Sequence, residues 1–185
     1  FRFYLLWNPD TRQLLKIGQY PTVADFHIRE LKRYTKLMST SKLSEFTRAI
    51  GLAANGVGIG SYVYLRRIFE YLISEAYKNA IKEDNISESN YTNGRMDEKI
   101  ELLKAYLPDF LVENRALYSI LSLGIHELEE EDCLAHFDTL RVGIEIILDE
   151  KLDELKKKEK IEKATKKLAS VKGKLSDTKK RTLDT

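Results

Sequence analysis

Large apolar residues recur along this chain first at the spacing of a strand and then, from about residue 21, at the three- and four-residue spacing of helices. The run Phe1-Arg2-Phe3-Tyr4-Leu5-Leu6-Trp7 is aromatic and β-prone, Asn8-Pro9-Asp10-Thr11 is turn chemistry, and Arg12 to Ile17 partly alternates, which predicts a hairpin. Pro21-Thr22-Val23-Ala24-Asp25 reads as a helix start in which Thr22 caps and Asp25 reaches back to the free amides. A helix is predicted over 23–38. After Ser39-Thr40-Ser41, a second helix carries Leu43, Phe46, Ile50 and Ala53. Gly56, Gly58 and Gly60 then make an unbroken helix costly, roughly 1 kcal/mol each relative to alanine. A bend is expected there, with a third helix from Ser61 carrying Val63, Ile68, Tyr71, Leu72 and Ala76. A polar loop over 83–94 precedes a fourth helix over 95–107. Pro108 opens a fifth, running through Leu121 and stopped by Gly124. The last helix begins near Glu129 with Leu134, Phe137, Leu140, Ile144, Ile147 and Leu148 on one stripe, followed by a sparser Leu152, Leu155 and Ile161. Beyond Lys156 the chain turns to Lys, Glu and small residues, read as an exposed helix fraying into a disordered tail.

These elements predict a mainly α protein: an antiparallel helical bundle with a short N-terminal β-hairpin and a long C-terminal helix. The expected organisation is a hairpin over 1–20, a helical bundle over 21–155 and a charged basic helix or disordered tail over 156–185. At 185 residues the chain supports one hydrophobic core. Charge is almost balanced overall but not locally. From Lys151 onward there are 13 Lys+Arg against 6 Asp+Glu, a net of +7, while the remainder holds 18 against 23, a net of −5. The single cysteine, Cys133, rules out an internal disulfide and fits a reducing, cytoplasmic setting. No apolar run approaches the ~20 residues of a membrane helix, and no leader pattern is present. Because the chain opens at Phe1 directly in a strand-like run, the hairpin is read as a remnant of an upstream module.

Charged groups among large apolar residues need partners, which makes two segments the places to look for chemistry. In Tyr64-Leu65-Arg66-Arg67-Ile68-Phe69-Glu70, Glu70 can pair with Arg66 at i,i+4 or Arg67 at i,i+3. Either this is an ion pair anchoring the helix, or an arginine held by Glu70 grips a phosphate. In Ser122-Leu123-Gly124-Ile125-His126-Glu127-Leu128, His126 precedes an acidic run. It is either a hydrogen-bonded structural histidine or an acid–base group. The glycines from Gly51 to Gly60 invite a phosphate-loop reading, but no Lys-Ser/Thr follows and a helix precedes them, so close packing or a hinge competes. His27, His126 and His136 are far apart, so no metal set is expected, nor any cofactor. Cys133 is expected to be packed and inert. The basic tail is read as a solvated helix, a nucleic-acid contact or a coiled-coil partner.

On those two segments the chain resembles the HEPN (higher eukaryotes and prokaryotes nucleotide-binding) superfamily of helical domains, in an uncharacterised bacterial branch. The resemblance covers roughly residues 40–152, leaving the hairpin and the tail outside. It implies an up-and-down bundle, homodimerisation and, in active members, metal-independent RNA cleavage by Arg and His. Active members carry Arg, four to six residues, then His on one helix. Here Arg115, with Asn114 beside it, precedes His126 by eleven positions. The resemblance therefore assigns catalysis to His126 with Arg66 or Arg67 from another helix, and support to Glu70, Asn114 and Arg115.

Two classes of function follow. One is an RNA-binding or RNA-cleaving domain in a bacterial defence or toxin context. The other is a noncatalytic interaction or dimerisation module in which the long last helix makes the contacts. A catalytic site needs His126 open to solvent and near an arginine, whereas an interaction module has these groups buried and mutually satisfied.

Overall fold

The computed structural model describes residues 1–83, 86 and 88–181, with the side chains at 23, 24, 28, 90 and 173–181 outside that description. The chain is mainly α, with eight α-helices among the described residues, an N-terminal antiparallel hairpin and a long C-terminal helix. It divides into two compact units, residues 1–148 and residues 149–185.

Strands β1 (Arg2–Asn8) and β2 (Gln13–Tyr20) pair with Leu6 opposite Leu15 and Trp7 opposite Leu14. A register shift between Tyr4 and Leu5 leaves Ile17 without an opposite residue, a bulge that changes which face the following side chains take. The connection closes as an Asx turn: Asn8 Oδ1 accepts from the amides of Asp10 and Thr11 at 3.0 and 3.4 Å, and Arg12 takes a left-handed φ of 52°.

Helix α1 (Val23–Leu31) starts on the expected box, in which Asp25 Oδ2 accepts from the Thr22 amide at 2.7 Å and Thr22 Oγ1 accepts from the Asp25 amide at 3.2 Å. It does not run to Met38 as α-helix: residues Lys32–Lys36 tighten into a 3-10 turn. Tertiary anchors set this, since the buried Tyr34 donates its hydroxyl to the Glu145 carbonyl at 3.3 Å and Tyr71 donates to the Leu37 carbonyl at 3.2 Å. Helix α2 (Thr40–Ala54) is capped by Ser39, and α3 (Gly58–Lys82) begins three residues earlier than Ser61. Within the expected polar loop lies a short α4 (Glu88–Asn93), where Tyr91 stacks on Tyr77 with centroids 3.6 Å apart; residues 84, 85 and 87 lie outside the described set.

The expected fourth helix is only α5 (Met96–Leu102) and a 3-10 turn over Lys104–Tyr106, because Leu107 before Pro108 is extended at φ −111°, ψ 149°. The expected fifth helix splits into α6 (Asp109–Glu113) and α7 (Ala116–His126). At the break Asn114 donates both its backbone and its side-chain amide to the Phe110 carbonyl at 2.9 Å, and the next turn is tightened by i→i−3 bonds from Leu117 to Asn114 and from Tyr118 to Arg115. Gly124 does not stop α7: the helix passes through it to His126.

Helix α8 (Glu130–Arg181) runs unbroken, well into the segment expected to fray, as its Lys, Glu and Leu content and pairs such as Lys156–Asp153 at 2.9 Å favour. In the first unit α2 packs on α3, α3 on α7 and α1 on α2. Phe46, Tyr62, Leu65, Ile68, Phe69, Leu72, Leu111 and Leu121 are fully buried between them, each burial of a large apolar side chain being worth about 1.5–3 kcal/mol. On α8, Phe137, Leu140, Ile144, Ile147 and Leu148 are buried on one stripe, as the periodicity predicts, but at its start Cys133 is the buried residue and the expected Leu134 is only half-buried. No described helix is long and apolar enough to cross a membrane.

Candidate functional site

The helical repeat puts Tyr118, Ser122 and His126 on one face of α7, each four residues from the next. With Ser119, Leu123 and Glu127 they line a shallow cleft of about 270 Å³. His126 ends the helix and is exposed. Across from this face, Arg66 on α3 donates from Nε to Glu70 Oε1 at 2.9 Å, from Nη2 to the Tyr118 hydroxyl at 2.9 Å, and from Nη1 to Ser122 Oγ at 3.5 Å. The Tyr118 hydroxyl in turn donates to Glu70 Oε1 at 3.1 Å, closing a ring of charge-assisted bonds. The guanidinium also lies 5.2 Å from the centroid of the Tyr118 ring.

This arrangement holds a cation in a fixed place beside the cleft. Partial burial opposes the Arg66 charge, but the hydrogen bonds to Glu70 and Tyr118 and the negative charge of Glu70 outweigh it and raise the pKa above its usual value. Burial, then the Glu70 carboxylate, pushes the Tyr118 phenol up against the opposing pull of Arg66. Arg66 thus remains charged and Tyr118 a neutral hydroxyl at ordinary pH.

The two adjacent arginines part company. Arg67 donates from Nη2 to Glu45 Oε1 at 2.9 Å, and Lys42 reaches the other oxygen of that mostly buried carboxylate at 3.0 Å. Arg67 therefore ties α3 to α2 and does not join the α7 cleft, since successive helical residues point about 100° apart. Asn114 and Arg115 sit at the far end of α7. Eleven residues of helix separate Arg115 from His126, about 16 Å of rise. Arg115 instead lies 3.8 Å from Glu101 and lines a cleft of about 550 Å³ with Asp97, Glu98 and Leu102. Of the sequence-predicted set, the fold brings Arg66, Glu70 and His126 to one side of α7 and leaves Arg67, Asn114 and Arg115 elsewhere. Tyr118 and Ser122 were not singled out in the sequence, although their four-residue spacing from His126 carries the signal.

The glycine cluster has its own anion. The amides of Gly58 and Ile59, at the start of α3, donate to Glu130 Oε1 and Oε2 at 2.7 and 2.9 Å. A Cβ at Gly58 would lie 2.6 Å from the Glu130 carbonyl oxygen and 2.8 Å from Cys133 Cβ, so the glycine serves close packing. Cys133 is buried and donates its thiol to the Gly124 carbonyl at 3.3 Å. Burial, then Glu130 and Asp132, raises its pKa, which keeps it a thiol. Among the described residues no cluster of three or more His, Cys, Asp or Glu is placed to hold a metal ion.

No family model matches this chain, and no curated protein or solved structure is significantly similar to it.

Proposed function

We propose that the α7 cleft is an RNA-binding and metal-independent RNA-cleaving site of a HEPN-like domain, acting in the cytoplasm in a bacterial defence or toxin setting. One observation carries the reading: an exposed His126 stands one helical turn from Ser122, which with Tyr118 fixes the guanidinium of Arg66. In this reading an RNA phosphate enters between them. His126 takes the proton from the 2′-hydroxyl as that oxygen attacks the neighbouring phosphorus, and the 5′-oxygen leaves with a proton from solvent. Arg66 offsets the charge gathering on the phosphoryl oxygens. Ser122, Tyr118 and Glu70 are positioning residues, and Arg67, Asn114 and Arg115 fall outside the catalytic group.

The test is cleavage of a mixed single-stranded and structured RNA pool in EDTA by the wild-type chain, His126→Ala and Arg66→Lys. Metal-independent cleavage by the wild type is expected, with a loss of at least about a hundredfold in His126→Ala and an unchanged melting temperature, since His126 is exposed. No cleavage by the wild type, or equal cleavage by His126→Ala, overturns it. A second reading, a noncatalytic interaction module, is favoured by one feature: Glu70, Tyr118 and Ser122 already occupy the Nε and both terminal nitrogens of Arg66. It predicts that neither variant changes any RNA property while Arg66→Lys lowers stability.

A further inference from the structure

The later part of α8 carries a strong positive charge that the cleft reading does not use. Residues 156–172 hold eight lysines against two carboxylates, Glu159 and Glu162, a net of +6, and all eight lysines are exposed. The lysines are not spread evenly round the helix. Lys156, Lys160, Lys163 and Lys167 follow one another at steps of four, three and four residues. At 3.6 residues per turn, that spacing puts them within about 60° on one face over about 16 Å of helix. Neither carboxylate of the segment falls within that arc. Lys156 pairs with Asp153 at 2.9 Å, with both side chains exposed, and among the described residues the other three lysines have no ion pair. Like charges three and four residues apart repel one another, so this row disfavours the isolated helix and is relieved by a bound polyanion.

We infer that this lysine row binds the phosphate backbone of a polynucleotide strand. Its steps rise about 4.5–6 Å along the helix, between one and two of the ~3.4 Å intervals at which charges follow one another along each strand of a duplex. A lysine is a point charge on a flexible stem, so each reaches a phosphate without a fixed geometry. Residues 151–172 include no arginine and no aromatic residue, the groups that read guanine edges bidentately or stack on bases. The contacts are therefore to phosphate, holding a strand in place without reading its sequence. Two other occupants fit less well. Ile161, Ala164, Leu168 and Val171 lie about 90° round the helix from the row, and their spacing spans less than two heptads, short of the three to four of a coiled coil. A membrane-surface helix presents a broad apolar face, often with aromatic residues, whereas this segment has three large apolar side chains and no aromatic one. Binding at this row is separate from the α7 cleft and needs neither His126 nor cleavage.

Fluorescence anisotropy of labelled single strands of about 20 nucleotides, polyuridylate RNA and polythymidylate DNA, tests it in EDTA between about 50 and 200 mM salt. The full chain carries His126→Ala throughout, so that the chemistry proposed for the cleft does not consume the probe. Glutamine at Lys156, Lys160, Lys163 and Lys167 together is expected to weaken binding at least about tenfold. The slope of log K against log salt should fall by about 3, four phosphate contacts at ~0.7 each. Glutamine at Lys157, Lys158, Lys166 and Lys172 removes the same charge from the other sides of the helix and is expected to change affinity less than about threefold. Ile161→Ser with Leu168→Ser should leave binding unchanged, and the RNA and DNA probes should bind alike, because phosphate is common to both. All these side chains are exposed, so helix content by circular dichroism should stay the same. No binding at about 100 µM protein, equal losses in the two lysine variants, or a loss in the serine variant overturns the proposal. Binding to phosphatidylserine vesicles that depends on the same four lysines as strongly would assign the row to anionic surfaces in general and overturns it too.

Discussion

The ring of Tyr62 occupies the space where a side chain at position 124 would be: a Cβ there would lie 2.2 Å from Tyr62 Cδ2 and 2.4 Å from Cε2. That contact explains why α7 passes through Gly124 without stopping, since the glycine serves the approach of α3 and not a helix end. Tyr62 itself is fully buried, and its hydroxyl has no hydrogen-bond partner. Burial, then the nearby Cys133 and Asp132, pushes the phenol up to about 12. The direction fixes the pH effect. An unfolded tyrosine loses its proton near pH 10, so between about 10 and 12 the unfolded chain is ionised while the folded one is not, and stability falls through that window. Tyr62→Phe should flatten this fall in thermal melts at pH 9, 10 and 11. At pH 7 it should leave stability unchanged or raise it by about 1 kcal/mol, because it removes an unsatisfied buried hydroxyl. A loss of stability at pH 7 would instead reveal a hidden partner for that hydroxyl. The sequence marked neither Tyr62 nor its contact with Gly124, because the two are 62 positions apart and only packing brings them together.

At the scale of elements, the boundary of α3 shows how a distant residue decides where a helix begins. Three glycines in five residues weaken helix locally, which is why a start at Ser61 was expected. The carboxylate of Glu130, one bond to each of two free amides, moves the start back to Gly58. Glu130 thus joins the first turn of α3 to the first turn of α8, and it fills the place that a bound phosphate would take in a glycine-rich loop. Glu130→Ala is expected to cost about 1–2 kcal/mol in urea unfolding at unchanged m-value. Glu130→Gln should cost less, since one carbonyl oxygen still accepts. An unchanged midpoint in Glu130→Ala would mean that water caps α3 equally well. The end of α1 shares this origin, since Tyr34 and Tyr71 tie it to distant parts of the chain, whereas the break between α6 and α7 is local and lies at Asn114.

Over the whole chain, charge separates a mildly acidic part, with a net of −5 before Lys151, from a basic C-terminal segment with a net of +7. Every side chain from Ile161 to Lys172 is exposed. Replacing Ile161 and Leu168, which are 55% and 69% exposed, by serine should therefore shift the melting temperature by less than about 2 °C. A larger fall in circular-dichroism melts would show that these residues pack. The mainly α class, the hairpin, the stripe on α8 and the burial of Cys133 were legible in the sequence because each rests on local periodicity or turn chemistry, which neighbouring residues determine. What only the tertiary structure decided is partnership. It sent Arg66 to Tyr118 and Ser122 but Arg67 to Glu45, placed Arg115 about 16 Å of helix from His126, and gave the glycine cluster a carboxylate of its own. The physical reason is that a helical pattern fixes which residues share a face, whereas the identity of the face opposite depends on how separate helices pack.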